Sequence, residues 1–112
     1  VWLGRAVLEL EQPFHPLGLA YAEAADDGLD MSVFTTATPD YAEVLEARAG
    51  RVAMVRDYLA TVTLDDLAAT RHNPWVPARE QTVLSCLHVI LREEWEHHRY
   101  AVRDLDQVAA DS

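Results

Sequence analysis

The sequence has a single cysteine, Cys86, and no long apolar run. One cysteine excludes an internal disulfide and suits a reducing compartment, so we expect a cytoplasmic protein. No apolar stretch approaches the roughly 20 residues of a membrane span. Nor does a basic segment followed by an apolar stretch indicate a signal peptide. The composition therefore predicts no membrane partner.

The sequence is also poor in basic residues. It has nine arginines and no lysine against nineteen acidic residues, so its formal net charge is -10. Phosphate groups are bound by basic patches, and this balance therefore argues against a nucleic-acid partner. No segment resembles a phosphate-binding loop, a Ser-His-Asp arrangement or a zinc-finger spacing. The length of 112 residues fits one domain with a modest core.

The opening segment "VWLGRAVLEL" has apolar residues at helical spacing from its second residue onward. It carries no N-terminal capping signal, so we interpret it as the tail of a longer helix that ends before Pro13. Residues 20–36 are acidic and weakly patterned, which predicts a surface loop with one short turn.

The segment from Thr38 to Val62 carries the strongest helix signals. Thr38 is a suitable N-cap, Pro39 suits the first helical position, and acidic residues follow. Six residues form its apolar stripe: Val44, Leu45, Val52, Val55, Leu59 and Val62. After it, "TLDDLAAT" predicts a short helix opened by Thr63 with Asp66 as its capping-box partner.

The last predicted helix runs from about Arg79 to about Val108, after the proline-containing connector "RHNPWVP". Its apolar stripe has eight members: Val83, Leu84, Leu87, Ile90, Leu91, Ala101, Val102 and Leu105. No segment alternates long enough to predict a strand. The fold class is therefore all-α, with three main helices, one short helix and a shared core.

Two adjacent glutamates precede two adjacent histidines in "REEWEHHRY" of the last helix. Glu93 and His97 are four residues apart, as are Glu94 and His98, so each pair points one way from the helix. Such a pair can bind one divalent ion when another helix supplies a third ligand. The alternative is a solvated, ion-paired helix face, and spacing alone favours that alternative.

The segment "CLHVILREEWEHHRYAVRDLD" resembles the final helix of the DinB-like superfamily, which includes mycothiol- and bacillithiol-dependent S-transferases. In mycothiol-dependent maleylpyruvate isomerases this helix carries Arg-Glu, three residues, His, and later Asp-Leu. Arg92-Glu93, His97 and Asp104-Leu105 follow that order here, with a longer gap before Asp-Leu. The segments "VWLGRAVLELEQPFHPLGL" and "YAEVLEARAGRVAMVRDYLATVTLDDL" also resemble actinobacterial members.

The resemblance implies an up-down four-helix bundle that binds a divalent metal, zinc or nickel first, through three side chains. Glu93 and His97 would be two ligands, facing the bundle interior with their N and O atoms within about 4 Å. Glu94, His98 and Arg48 would be supporting or substrate-contacting residues. The ion would lower the pKa of a low-molecular-weight thiol such as mycothiol, so that the thiolate attacks an electrophile.

The resemblance also implies that residues 1–112 are the C-terminal portion of a single domain. The family's first helix and the start of its second, which carries the third ligand, would precede residue 1. We therefore expect an incomplete metal site. His15 could serve as a substitute ligand, but its neighbouring prolines favour a loop histidine. Cys86, with no histidine base, is interpreted as a small core residue.

Without the family's preceding helices, the apolar stripes of the two long helices would be left uncovered, and this predicts a homodimer. Nine residues are expected at or near its interface: Val44, Val52, Val55, Leu59, Leu84, Leu87 and Leu91, with Trp2 and Leu3 packed on the partner. The competing function is a non-catalytic helical module that acts through association.

Overall fold

A computed structural model describes residues 1–18, 23–36 and 38–112. The described residues are predominantly helical, with one small two-stranded sheet, and the predicted all-α class is confirmed. They form two compact units, one of Val1–Glu9 with Leu64–Ser112 and the other of Leu10–Thr63. The two units are described one after the other. No helix in the described ranges has the length and apolar character needed to cross a membrane.

The first unit begins with a short helix of π type, Trp2–Val7. The Leu8 amide donates to the Leu3 carbonyl over 2.8 Å, a bond that spans five residues. This helix packs against the last helix of the chain, and four of its residues are buried: Leu3, Gly4, Ala6 and Val7. The predicted opening helix is therefore present but shorter than the ten residues expected.

A short helix and a β-hairpin follow in the same unit. Helix α2 (Leu64–Ala68) leads into strand β1 (Thr70–His72), which pairs antiparallel with strand β2 (Glu80–Thr82). Buried Asn73 stabilises the loop between the two strands, because its Oδ1 accepts hydrogen bonds from the amides of Trp75 and Val76 at 2.9 and 3.0 Å. The expectation that this connector contains no strand was wrong. Strands of three residues are too short to show an alternating pattern.

Helix α3 (Val83–Ala110) begins four residues later than predicted, because Glu80–Thr82 belong to β2. Thr82 is its N-cap, with Oγ1 accepting the Ser85 amide at 3.1 Å. Val83 and Cys86 are fully buried, and they complete the small core formed by the first helix. From Leu91 to the end of the helix every residue except Glu96 is exposed.

The second unit opens with an irregular segment. Its described part between residues 23 and 36 contains a hydrogen-bonded turn at residues 23–28 and a short 3₁₀ turn, Met31–Val33, where one short turn was predicted. Residues 20–22 of the predicted loop lie outside the described residues. Asp30 caps this turn, because its carboxylate accepts both the hydroxyl and the amide of Ser32. These two hydrogen bonds lower the pKa of Asp30 below its usual value.

Helix α1 (Tyr41–Thr61) is the main element of this unit. Its N-cap is Asp40 rather than the predicted Thr38. The Asp40 carboxylate accepts the Glu43 amide and the Glu43 carboxylate accepts the Asp40 amide, each at 2.8 Å. This reciprocal capping box defines the start of the helix, since aspartate is the stronger N-cap. No residue of α1 is buried.

Candidate metal-binding site

The candidate ligands lie on the face of α3 that is buried in its first turns. Cys86 and Ile90 precede Glu93 and His97 by seven residues each, and residues seven apart share a helix face. Cys86 is fully buried and Ile90 is half-buried, whereas Glu93 and His97 are exposed. The same face therefore changes from apolar and covered to ligand-bearing and open within two turns.

Glu93 and His97 approach each other as predicted. The Oε2 atom of Glu93 lies 3.6 Å from Nε2 of His97. The expected burial is not seen, because the side chains of His97 and Glu93 are 76% and 53% exposed. The first turns of α3 are covered by the Trp2–Val7 helix. The turns that carry Glu93 and His97 are exposed.

The chemistry and spacing of this pair fit two positions of a divalent-metal site. A carboxylate oxygen and an imidazole nitrogen are ordinary zinc ligands, at roughly 2.0–2.2 Å from the ion. Two such donors on a tetrahedral ion lie roughly 3.4 Å apart, and the observed 3.6 Å is close to that separation. Among residues 1–18, 23–36 and 38–112, however, no three His, Cys, Asp or Glu side chains converge as a metal-binding group.

The second Glu-His pair is arranged differently. The His98 ring lies against Trp95, with centroids 6.3 Å apart. On the helix, Glu94 and His98 lie nearer the centre of the predicted apolar stripe than Glu93 and His97 do, but the stripe members Leu84, Leu91 and Leu105 are exposed. The buried face includes the stripe member Val83 but is centred nearer Cys86, which the stripe left out.

Arg48 and His15 belong to the second unit, Leu10–Thr63. Arg48 is exposed on α1. The His15 Nδ1 atom accepts the Leu17 amide at 3.1 Å, which gives this imidazole a local role in the loop. Cys86 is buried, and Gln81 donates to its Sγ at 3.4 Å, in agreement with its interpretation as a small core residue.

The sequence did not predict a groove beside α1. It has a volume of about 490 Å³, and one side is formed by the His15–Leu17 segment and Thr36. The helical side includes Glu46, Gly50 and Arg51. A Cβ atom added at Gly50 would meet nothing within 4 Å.

The described residues define a predominantly helical protein with a Glu and a His one turn apart on its last helix. The comparisons identify the family. The model of the DinB superfamily matches residues 1–101, and the chain therefore belongs to the DinB superfamily. No curated protein and no solved structure matches the chain.

Proposed function

We propose that this DinB-superfamily protein binds a divalent metal ion, zinc or nickel, through Glu93 and His97. The observation that carries the proposal is the 3.6 Å separation of the Glu93 Oε2 and His97 Nε2 atoms on one face of α3. Membership of the superfamily supports it, since the matched region includes both residues. Two protein ligands bind more weakly than three, so we expect weak or substoichiometric metal in the isolated chain.

The associated chemistry would be that of thiol-dependent S-transferases and isomerases. A bound ion would act as a Lewis acid that lowers the pKa of a small thiol such as mycothiol. The residues of this chain would hold and orient the ion: Glu93 supplies one negative charge, and His97 supplies a neutral nitrogen. Glu94, His98 and Arg48 remain proposed supporting or substrate-contacting residues.

Equilibrium dialysis against zinc and nickel, followed by elemental analysis, tests metal binding. We expect Glu93→Gln and His97→Ala each to weaken binding at least ~10-fold, because each removes one of two ligands. His88→Ala is the matched control, since it removes an exposed imidazole from elsewhere on the same helix. Equal losses in His97→Ala and His88→Ala would contradict the ligand assignment.

We expect little or no thiol-transferase activity from residues 1–112 alone. A catalytic site of this kind needs three protein ligands and an open coordination position. Robust metal-dependent turnover by the chain would show that the ligand set is wrong, with His15 and His98 the next residues to substitute.

A second candidate function, a homodimeric association module without catalysis, has its own supporting observation. Many large apolar side chains of the two long helices are exposed, and exposed apolar surface favours association. They are Val44, Leu45, Val52 and Leu59 in α1, and Leu84, Leu91, Trp95, Val102, Leu105 and Val108 in α3. The expected packing of Leu3 on the partner was wrong, because Leu3 is buried within its own chain.

Light scattering at micromolar concentration tests this candidate. A homodimer that persists in the presence of a chelator, with no metal bound after dialysis, would favour the association module over the metal-binding protein. A stable monomer with a cooperative thermal transition would contradict the dimer.

A further inference from the structure

We propose that the Trp2–Val7 helix, here called the flap, is held over the covered end of α3 by Arg71 and opens locally about Glu9. The inference does not depend on the proposed metal binding. It concerns the part of α3 next to the candidate ligands, because Cys86, which the flap helps to bury, precedes Glu93 by seven residues on the same face. Opening would extend the exposed stretch of this face from Glu93 back to Cys86.

The first argument concerns what holds the end of the flap. Arg71 lies in β1, and its Nε atom donates to the carbonyl of Val7, the last residue of the flap, at 3.1 Å. Its Nη1 atom donates to the Thr70 carbonyl of its own strand at 2.9 Å, which orients the guanidinium. A cation at the end of a helix satisfies carbonyls that have no partner within the helix. One side chain thus ties the flap to the hairpin.

The second argument concerns the backbone just after the flap. Glu9 has a φ of +52°, in the left-handed region that disfavours residues with a Cβ atom. Its Oε2 atom lies 4.0 Å from the Arg71 Nε atom, so the strained residue also contacts the latch. The chain passes from the first unit into the second between Glu9 and Leu10. Opening of the flap would release this strain, and we therefore assign the hinge to Glu9.

The third argument concerns the flap itself. It is a π-helix of six residues, a type that is rare and often marks functional sites. So short a helix is not stable without packing, and the flap therefore stays helical only while it lies on α3. Its buried side chains favour the closed state. The β1–β2 pairing and the Asn73 hydrogen bonds join other residues, so they can persist when the flap opens.

Alkylation of Cys86 with iodoacetamide, followed by mass spectrometry, tests the latch, because the chain has one cysteine. A fully buried thiol reacts only when the structure around it opens. We expect Arg71→Met to speed alkylation about 10-fold or more, because it removes the charged hydrogen bond to Val7. Arg79→Met is the matched control at an exposed position of the same hairpin loop and should leave the rate unchanged. Equal acceleration in both variants, or in neither, would overturn the latch.

Dilute urea distinguishes opening of the flap from unfolding of the whole unit. Local opening exposes little surface, so the alkylation rate should change little with urea concentrations well below the unfolding transition. A rate that rises in parallel with the unfolding constant would show that Cys86 is reached only by complete unfolding. That result would overturn the flap.

Glu9→Gly and Glu9→Ala test the hinge as a pair. Both variants lose the carboxylate, but only glycine adopts the left-handed conformation without strain. We expect alkylation of Cys86 to be about 5-fold slower in Glu9→Gly than in Glu9→Ala, because the closed state is then less strained. Equal rates in the two variants would contradict the assignment of the hinge to Glu9.

Discussion

The two ends of α3 differ although they belong to one helix and share one face. At the beginning, Val83 and Cys86 are fully buried against the short first helix. Two turns later the same face carries Glu93 and His97, whose side chains are open to solvent. The first end holds the unit together, and the second end presents donor atoms. The buried contacts and the proposed ligands thus occupy different parts of a single helix.

The two long helices differ in a related way. Helix α3 has an anchored beginning, whereas α1 has no buried residue and its start is fixed by the Asp40–Glu43 capping box. Local hydrogen bonds therefore contribute more to the stability of α1, and burial of side chains contributes more to the stability of the start of α3. Substitutions in each region should separate these contributions.

The largest expected effect is at the covered end of α3. Cys86→Asp places a carboxylate at a fully buried position, and we expect the free energy of unfolding to fall by about 3 kcal/mol or more. Leu91→Asp is the control in the open part, where the native side chain is 68% exposed and the expected loss is under about 1 kcal/mol. Denaturant titration measures both, and equal losses would remove the distinction between the two ends.

A smaller effect is expected at the start of α1. Asp40→Ala removes the acceptor of the Glu43 amide, which should cost about 1 kcal/mol of helix stability. Amide hydrogen exchange in residues 41–45 would report the loss as faster exchange. Asp57→Ala, an exposed position inside the same helix, should leave exchange at the helix start unchanged. If both variants behave alike, the capping box does not define this end.

The smallest expected effect is a gain in stability. Gly50 lies inside α1 with nothing within 4 Å of an added Cβ, so Gly50→Ala should stabilise the helix by about 0.5–1 kcal/mol. Gly28→Ala is the contrasting variant, because Gly28 has a φ of +79° that disfavours other residues. We expect its melting temperature to fall while that of Gly50→Ala rises. A fall in both would indicate that Gly50 is needed for packing.

Local sequence signals predicted the fold class and the existence of both long helices, since caps and periodicity are local properties. They failed where tertiary pairing decides the outcome. Glu80–Thr82 joined a hairpin with Thr70–His72 rather than the last helix. The apolar stripe predicted the buried face of α3 only in part. Its member Val83 is fully buried, but Leu84, Leu91 and Leu105 are exposed, and the fully buried Cys86 lay outside the stripe.

The candidate site was likewise predictable where local helix geometry decides and unpredictable where tertiary contacts decide. The spacing of four residues predicted that Glu93 and His97 lie close together, because helix geometry fixes that distance. It did not predict their exposure, which depends on what covers the face of α3. The identity of the remaining ligands depends on the same contacts and could not be predicted from this helix.

The central claim is that His97, through its Nε2 atom, binds a divalent ion together with Glu93. The most direct test is a zinc titration followed by NMR of the imidazole rings, since the chain has only five histidines. We predict that zinc shifts the His97 ring signals first and that Glu93→Gln greatly reduces this shift. A shift of His98 or His15 in place of His97, or no shift of any histidine, would contradict the account.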